Sequence, residues 1–528
     1  MESCLKVIGA DFELANSIEG GRGRDTGPGD AARRLLEEIT GYPRDRSWGT
    51  RLEWGRRFLA TNGGSAYIDS DHLEINAPEH TRAADHAAVM HAGLRLAREA
   101  QVAAQAKMPG ARLHVFAAVS DGQESWGHHL NVMVRRELWD DLFTRKPHLA
   151  GFLATHLATA PVWAGHGQVG PGNDRPWCDY QLSQRADWFE EFVGHQTTHR
   201  RPLLNLRDEA HAGEGLARMH IIYFDNVLCP VANYLKAGTT QLVLAMAEKG
   251  WADPTLLLDD PLGAALEVSR DLSLRRPLRL AQRGLQATAV EAQKALAELA
   301  GEFVTAGEAE GIVPGAADIV RTWLETLDLL ARRDFAALAR RCDWVLKYLL
   351  LDRQRGRRGL SWQAPEIKCL DLLFSSLDPQ EGLFWQMAAA GQVEAMPTAE
   401  EVERFFAEPP DDTRAYLRAH VLRRFGEQVA DIDWDRIRFR LQSDRYWWAE
   451  TALPMPDPAA YGRAAIEPVL ARCATLSDLF AALGIETSPS PWGGGGYYLA
   501  GPRRPEPWGQ RWDGYDARPA RPRGPWSW

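Results

Sequence analysis

The stretch Tyr67-Ile68-Asp69-Ser70-Asp71-His72-Leu73-Glu74-Ile75-Asn76-Ala77-Pro78-Glu79 places five acidic or histidine side chains within thirteen residues. Tyr67-Ile68 leads into it as a strand would. Alternate side chains of an extended chain share a face. Asp69 and Asp71 are therefore expected on one face and His72 and Glu74 on the other, unless the strand bends between them. Bends of that kind are common beside active sites. Two readings are open at this point: a polar edge strand on the surface, or one wall of a site that gathers carboxylates.

A second stretch bears on the choice. Leu5-Lys6-Val7-Ile8-Gly9-Ala10-Asp11-Phe12-Glu13-Leu14 reads as a strand with Lys6, Ile8, Ala10, Phe12 and Leu14 on one face. Val7, Gly9, Asp11 and Glu13 take the other. Two carboxylates sharing a small, otherwise apolar face repel unless a cation lies between them. Hard oxygen donors of this kind suit Mg²⁺, which recruits a few carboxylates together with a nucleotide's phosphates. A solvated strand end is the competing reading.

Chain-wide properties narrow the class. The 528 residues suffice for a large core and more than one domain. The composition, 45% hydrophobic and 25% charged, is that of a soluble globular protein. A net charge of −10 argues against nucleic acid and against an anionic membrane surface. Cys4, Cys178, Cys229, Cys342, Cys369 and Cys473 are scattered without a CxxC pair, which points to a reducing cytoplasm. No segment reads as a signal peptide or a membrane span.

Along the chain, Ala31 to Ile39 and Ala83 to Ala106 read as helices, and Asn62-Gly63-Gly64 as a turn that makes a hairpin with the Tyr67 strand. Arg112 to Val119 and Val132-Met133-Val134 read as strands. Arg185, Arg207 and His220 sit on short apolar runs that look like strands. Arginine is the usual bidentate partner of phosphate oxygens. From Val227 helices dominate, and Arg436 to Leu441 is a strand with alternating arginines. The tail from Pro489 is rich in Gly, Pro, Trp and Arg and is expected to be disordered alone, with its tryptophans as potential partner anchors.

Taken in order, these motifs resemble the Pup ligase and Pup deamidase (depupylase) family, relatives of glutamine synthetase among the carboxylate–amine ligases. The resemblance rests on Gly9 to Glu13, Tyr67 to Glu79, Asp121-Gly122, Ser125 to Asn131, Gln181 to Arg185, Asn205 to His211, Arg218-Met219-His220, Tyr234 to Thr240, Leu360-Ser361-Trp362 and Thr413-Arg414-Ala415. It implies an α+β fold: a curved, mainly antiparallel sheet forming a cradle backed by helices. It divides the chain into a catalytic domain over 1–425, a small C-terminal domain over 426–486 and the tail 487–528. It implies ATP and Mg²⁺ in the cradle, with Asp11, Glu13, Glu74, His129 and His220 at the metal, Arg185 and Arg207 on phosphates, and Asp69 as the catalytic carboxylate. It implies as partners a small Pup-like tag and lysine-bearing proteins.

The sequence departs from the family pattern in three places. Asp11 stands where a glutamate is usual, Ala117-Ala118-Val119 where Lys-Asn-Asn is usual, and Leu130 where a glutamate follows the loop histidine. The short interval from Glu13 to Asp69 is ligase-like. The Asp69-to-Glu74 spacing and the stretch Leu360 to Phe374 resemble the amidase form. The missing insertion is the larger feature, so the expectation is a ligase that joins the tag's C-terminal glutamate to lysines through an acyl phosphate. An amidase, or a nucleotide-binding member without turnover, is the alternative.

Overall fold

The alternation of apolar and acidic side chains makes Ile8–Glu19 an inner strand with two unlike faces. In a computed structural model, which describes residues 3–20, 27–43, 53–441 and 449–485, this strand, β1, lies at the centre of the main sheet. Ile8, Ala10, Phe12 and Leu14 are buried, whereas Gly9, Asp11 and Glu13 open to the other side.

The remaining strands follow in chain order. The main sheet takes β2 (Tyr42–Pro43), β3 (Glu53–Phe58), β4 (Ser65–Asp69), β5 (His72–Asn76), β6 (Arg112–Phe116) and β7 (His128–Arg135). Short ribbons are formed by β8 (Gln168–Val169) with β9 (Tyr180–Gln181), by β10 (Phe189–Gly194) with β11 (Arg201–Asn205), and by β13 (Leu278–Arg279) with β14 (Gln286–Ala287). Between the last two ribbons, β12 (Leu216–Ile221) returns to the main sheet. Its order is β12-β7-β1-β5-β4-β3-β2, with β6 paired to the far half of β1. All these pairings are antiparallel.

The 67–79 stretch is two strands, not one. Ser70 and Asp71 have φ of 50° and 96°, so the chain reverses in a two-residue turn with both central residues left-handed. That is the hairpin turn whose twist matches its strands. The reversal pairs Asp69 with His72 and Tyr67 with Glu74. Residues directly opposite in an antiparallel pair share a face, so Asp69, His72 and Glu74 all lie on one side. The expected split between Asp69 and Glu74 does not occur. The turn signal at Asn62-Gly63-Gly64 does make the β3–β4 hairpin.

Helices cover the apolar face. Pro28–Glu37 packs on β1, β4 and β5, Ala83–Ala106 on β6, and the nearly all-buried Pro230–Lys249 on β7. Helices from Ala289 onward extend this layer, the first entered through a Thr288/Glu291 capping box. Among the described residues no helix is long and apolar enough to cross a membrane.

A second hydrophobic core joins the helix Arg414–Phe425 to the sheet β15 (Val429–Asp433), β16 (Arg436–Leu441) and β17 (Ala449–Pro454), and to helices Arg463–Leu470 and Leu476–Ala482. Tyr416, Leu417, Val421, Leu422 and Phe425 belong to this core, so the packing unit begins before residue 426. It is tied to the main sheet by Glu79, just beyond β5. Arg414 Nε donates to Glu79 Oε1 at 2.7 Å, and Arg418 Nη2 donates to Oε2. Thr413 Oγ1 donates to Glu79 O at 2.6 Å. The tail 487–528 lies outside the described residues.

Candidate active site

The open face of the main sheet floors a cavity of about 1070 Å³. Register alone assembles its floor. Glu13 faces Glu74, Asp11 faces both Asn76 and His129, and Asn131 faces His220. Five strands thus bring Asp11, Glu13, Asp69, Glu74, His129 and His220 to one surface, and all six line the cavity.

The carboxylates fall into a tight group. Oxygens of Glu13, Asp69 and Glu74 lie within 4.8 Å of one another. Burial, and then the neighbouring Asp69, push the Glu13 carboxyl up to about 8. Burial, and then Asp11, Glu13 and Asp69, raise Glu74 well above the usual range. Like charges this close are unfavourable without a cation between them. The donor set is hard oxygen, which fits Mg²⁺.

Beside this group, His129 Nδ1 lies 3.3 Å from Asp11 Oδ1. Burial works against the Asp11 carboxylate, yet His129 and then Arg218 hold it below its ordinary value. The His129 and His220 rings meet edge to face at 4.8 Å. His220 Nδ1–H donates to Asn131 Oδ1 at 2.7 Å, which leaves Nε2 as the lone-pair nitrogen. Nε2 is buried without a hydrogen-bond partner. Burial and the Arg218 guanidinium keep the ring neutral. A neutral, oriented imidazole with a free lone pair is the form that binds metal.

His128 and His129 alternate across β7. His129 enters the cavity, while His128 turns into the core, where its Nε2 is 2.5 Å from Lys236 Nζ. Gly127 packs closely on Glu13, and a Cβ there would crowd Glu13 Oε1 and the His129 ring. Its N–H donates to that same oxygen at 2.8 Å.

The arginines differ from the sequence expectation. Neither Arg185 nor Arg207 lies on a strand: Arg185 precedes the turn Ala186–Trp188, and Arg207 follows β11. Apolar neighbours made both runs strand-like, but tertiary burial rather than pairing explains them. Arg207 lines the cavity and is half-exposed. Arg185 is wholly buried beneath the wall. Its Nε and Nη2 donate to Ile222 O at 3.2 and 2.8 Å, and its Nη1 donates to Trp126 O. Burial and the nearby Arg201 lower it to about 9. Arg56, Arg201, Arg218 and Arg414 also line the cavity and were not among the predicted site residues. Arg218 lies two residues before His220 on β12, so the two share a face once the resemblance has placed His220 at the site. Arg201 carries no comparable signal.

Two of the three departures from the family pattern lie off the cavity. Ala117, Ala118 and Val119 are buried, and Leu130 points into the core opposite His129. Asp11 remains on the floor.

Comparison with known proteins identifies the family. The model of the Pup-ligase protein family matches residues 25–438. The depupylase of Acidothermus cellulolyticus is 35% identical over 427 residues, covering 80% of this chain and 83% of its own length. The Pup–protein ligase of Acidimicrobium ferrooxidans is 32% identical over 451 residues, covering 83% and 94%. The Pup ligase PafA solved in complex with ADP superposes with a TM-score of 0.68 at 25% identity, over 88% of this chain and 95% of that one. PafA solved in complex with Pup gives a TM-score of 0.72 at 24% identity, over 90% and 95%, and shares the fold. With the family model and these relatives in agreement, the chain belongs to the Pup ligase and Pup deamidase/depupylase family of enzymes.

Proposed function

We propose that the cavity binds ATP and Mg²⁺ and acts on the amide at the C-terminal glutamate or glutamine of a small Pup-like tag, and that hydrolysis is its working direction. Glu13 and Glu74, with Asp11, His129 and His220 beside them, hold the metal. Arg207 and Arg218 face the phosphates. Asp69 takes a proton from the water that attacks the carbonyl and hands it to the departing nitrogen, so that the C–N bond breaks and leaves a carboxylate with ammonia or a lysine amine. Bound nucleotide and Mg²⁺ supply charge neutralisation next to the reacting carbonyl.

The observation that carries the direction is the Ser70-Asp71 turn. The amidase-like spacing from Asp69 to Glu74 is fixed by a two-residue turn, and one more residue would require another turn class and re-aim Asp69. The interval from Glu13 to Asp69, which favours a ligase, holds the helix Pro28–Glu37 and the strands β2 and β3 at the sheet edge. The higher identity to the depupylase, 35% against 32%, supports hydrolysis.

The ligase reading has its own support: the match spans 94% of the Acidimicrobium ligase and 83% of the depupylase. Asp69 would there deprotonate the incoming lysine, since a lysine attacks only when neutral.

One experiment separates the two. The purified chain is incubated with ATP, Mg²⁺ and either a tag ending in glutamine, a tag–protein conjugate, or a tag ending in glutamate plus a lysine-bearing protein. Intact mass and ADP are followed. Deamidation or tag release with little ADP supports hydrolysis. Conjugate formed with equimolar ADP supports the ligase. ATP binding without any product would reject both.

A further inference from the structure

One wall of the cavity is the segment Ser125-Trp126-Gly127, and each of its residues is hydrogen-bonded to the surrounding structure. Ser125 O accepts from Arg201 Nη2, and Trp126 O accepts from Arg185 Nη1. Trp126 N–H donates to Val119 O at 3.2 Å, and its Nε1–H donates to Ala118 O at 2.7 Å. Gly127 and Glu13 exchange two hydrogen bonds, Gly127 N–H to Oε1 at 2.8 Å and Glu13 N–H to Gly127 O at 2.9 Å.

The exposed side of this segment presents the Trp126 ring, and it lies on His72. The two rings are 4.7 Å apart and 22° from parallel. His72 is the cross-strand partner of Asp69. Its Nδ1–H donates to Leu14 O at 3.1 Å, so the imidazole is fixed on β1 and capped by Trp126. The turn beyond it is exposed at Ser70 and Asp71. Trp126 therefore braces the hairpin from the opposite wall of the cavity.

We infer that Trp126 is a positioning residue for Asp69: it acts through His72 to hold the β4–β5 hairpin at the height where Asp69 meets the substrate amide. The buried Arg185 serves the same strut by pinning the Trp126 carbonyl. This inference rests on the role given to Asp69 above. Displacing a reacting group by about 1 Å costs on the order of 10²-fold in rate, so the strut affects turnover more than binding.

The test is Trp126→Ala beside Trp126→Phe. The alanine variant should lose about 10²-fold in kcat with KM for ATP nearly unchanged. The phenylalanine variant keeps a ring on His72 and should recover most of that loss. With His72→Ala in place, adding Trp126→Ala should cost little more, because the partner is already gone. Hydrogen exchange should quicken at residues 68–73 in Trp126→Ala and stay unchanged on β7. An alanine variant with full kcat, a phenylalanine variant as impaired as alanine, or additive losses would overturn the strut. A wild-type chain without turnover would refute the role of Asp69. Exchange at 68–73 would then still decide the inference, acceleration supporting it and no change overturning it.

Discussion

Glu13 on β1 and Glu74 on β5 stand directly opposite each other on the cavity face of an antiparallel pair, both carboxyls pushed up by burial and by acidic neighbours. Like charges placed directly across a sheet destabilise it. The raised carboxyls ease that repulsion in the metal-free fold, and the cation proposed above would remove it. Glu74→Gln should therefore raise the stability of the metal-free protein, by about 1 kcal/mol or less, and abolish the stabilisation that Mg²⁺ gives the wild type. Thermal unfolding with and without Mg²⁺ reads both effects.

Asp69→Asn keeps the shape of the hairpin and removes the base. Turnover should fall by roughly 10²- to 10⁴-fold, with ATP affinity changed little. Steady-state kinetics and calorimetric titration with ATP check the two halves. Retained turnover would contradict the assignment.

The two predicted phosphate arginines should now behave differently. Arg207→Ala removes a half-exposed cavity cation. ATP should bind on the order of tenfold more weakly, and the difference should shrink as salt rises. Arg185→Gln instead leaves the Ile222 and Trp126 carbonyls short of donors. It should lower stability by about 1–3 kcal/mol per unsatisfied group. Nucleotide titrations and urea melts on both variants distinguish the roles.

How far the sequence discloses the site depends on the kind of signal. Asp11 and Glu13 were legible because alternation with Ile8, Ala10, Phe12 and Leu14 fixes their face. The Asp69 hairpin was not, because Ser70-Asp71 lacks the Asn-Gly or Asp-Gly signature of a two-residue turn, and an extended reading sends Glu74 to the wrong side. Arg185 shows a different limit. An arginine in an apolar run has no local feature that says whether it faces a cavity or a layer of carbonyls behind it. Arg414 and Trp434 reach the cavity from the second core, a juxtaposition set by packing over more than three hundred residues. The family resemblance supplied the sheet cradle and the colinear motifs, His220 among them, while Arg218, on the same face of β12, was not singled out.

The joint between the two cores makes stability depend on acid. Glu79 is held at about 2: burial opposes its charge, but Arg418 and Arg414 outweigh it. The Arg418 guanidinium, although lowered by burial, stays cationic, so the linkage runs through the carboxylate. A depressed carboxyl gives stability that is full above its unfolded value of 4.5 and is lost as pH falls towards 2. Urea melts between those limits should show that decline. Glu79→Gln, which leaves two buried guanidiniums without their anion, should cost roughly 3–5 kcal/mol and flatten the decline.

The cation proposed above lies on one face of the main sheet at Glu13 and Glu74, with Asp69 beside them as the base. Crystals grown with Mn²⁺ and ADP test it directly, because anomalous scattering at the manganese edge locates the ion without reference to activity. The account predicts a peak among those three carboxylates, with the Asp11 and His220 side chains beside it, and no such peak in Glu74→Gln crystals. A manganese peak elsewhere in the chain, or an empty floor at saturating Mn²⁺, would contradict it.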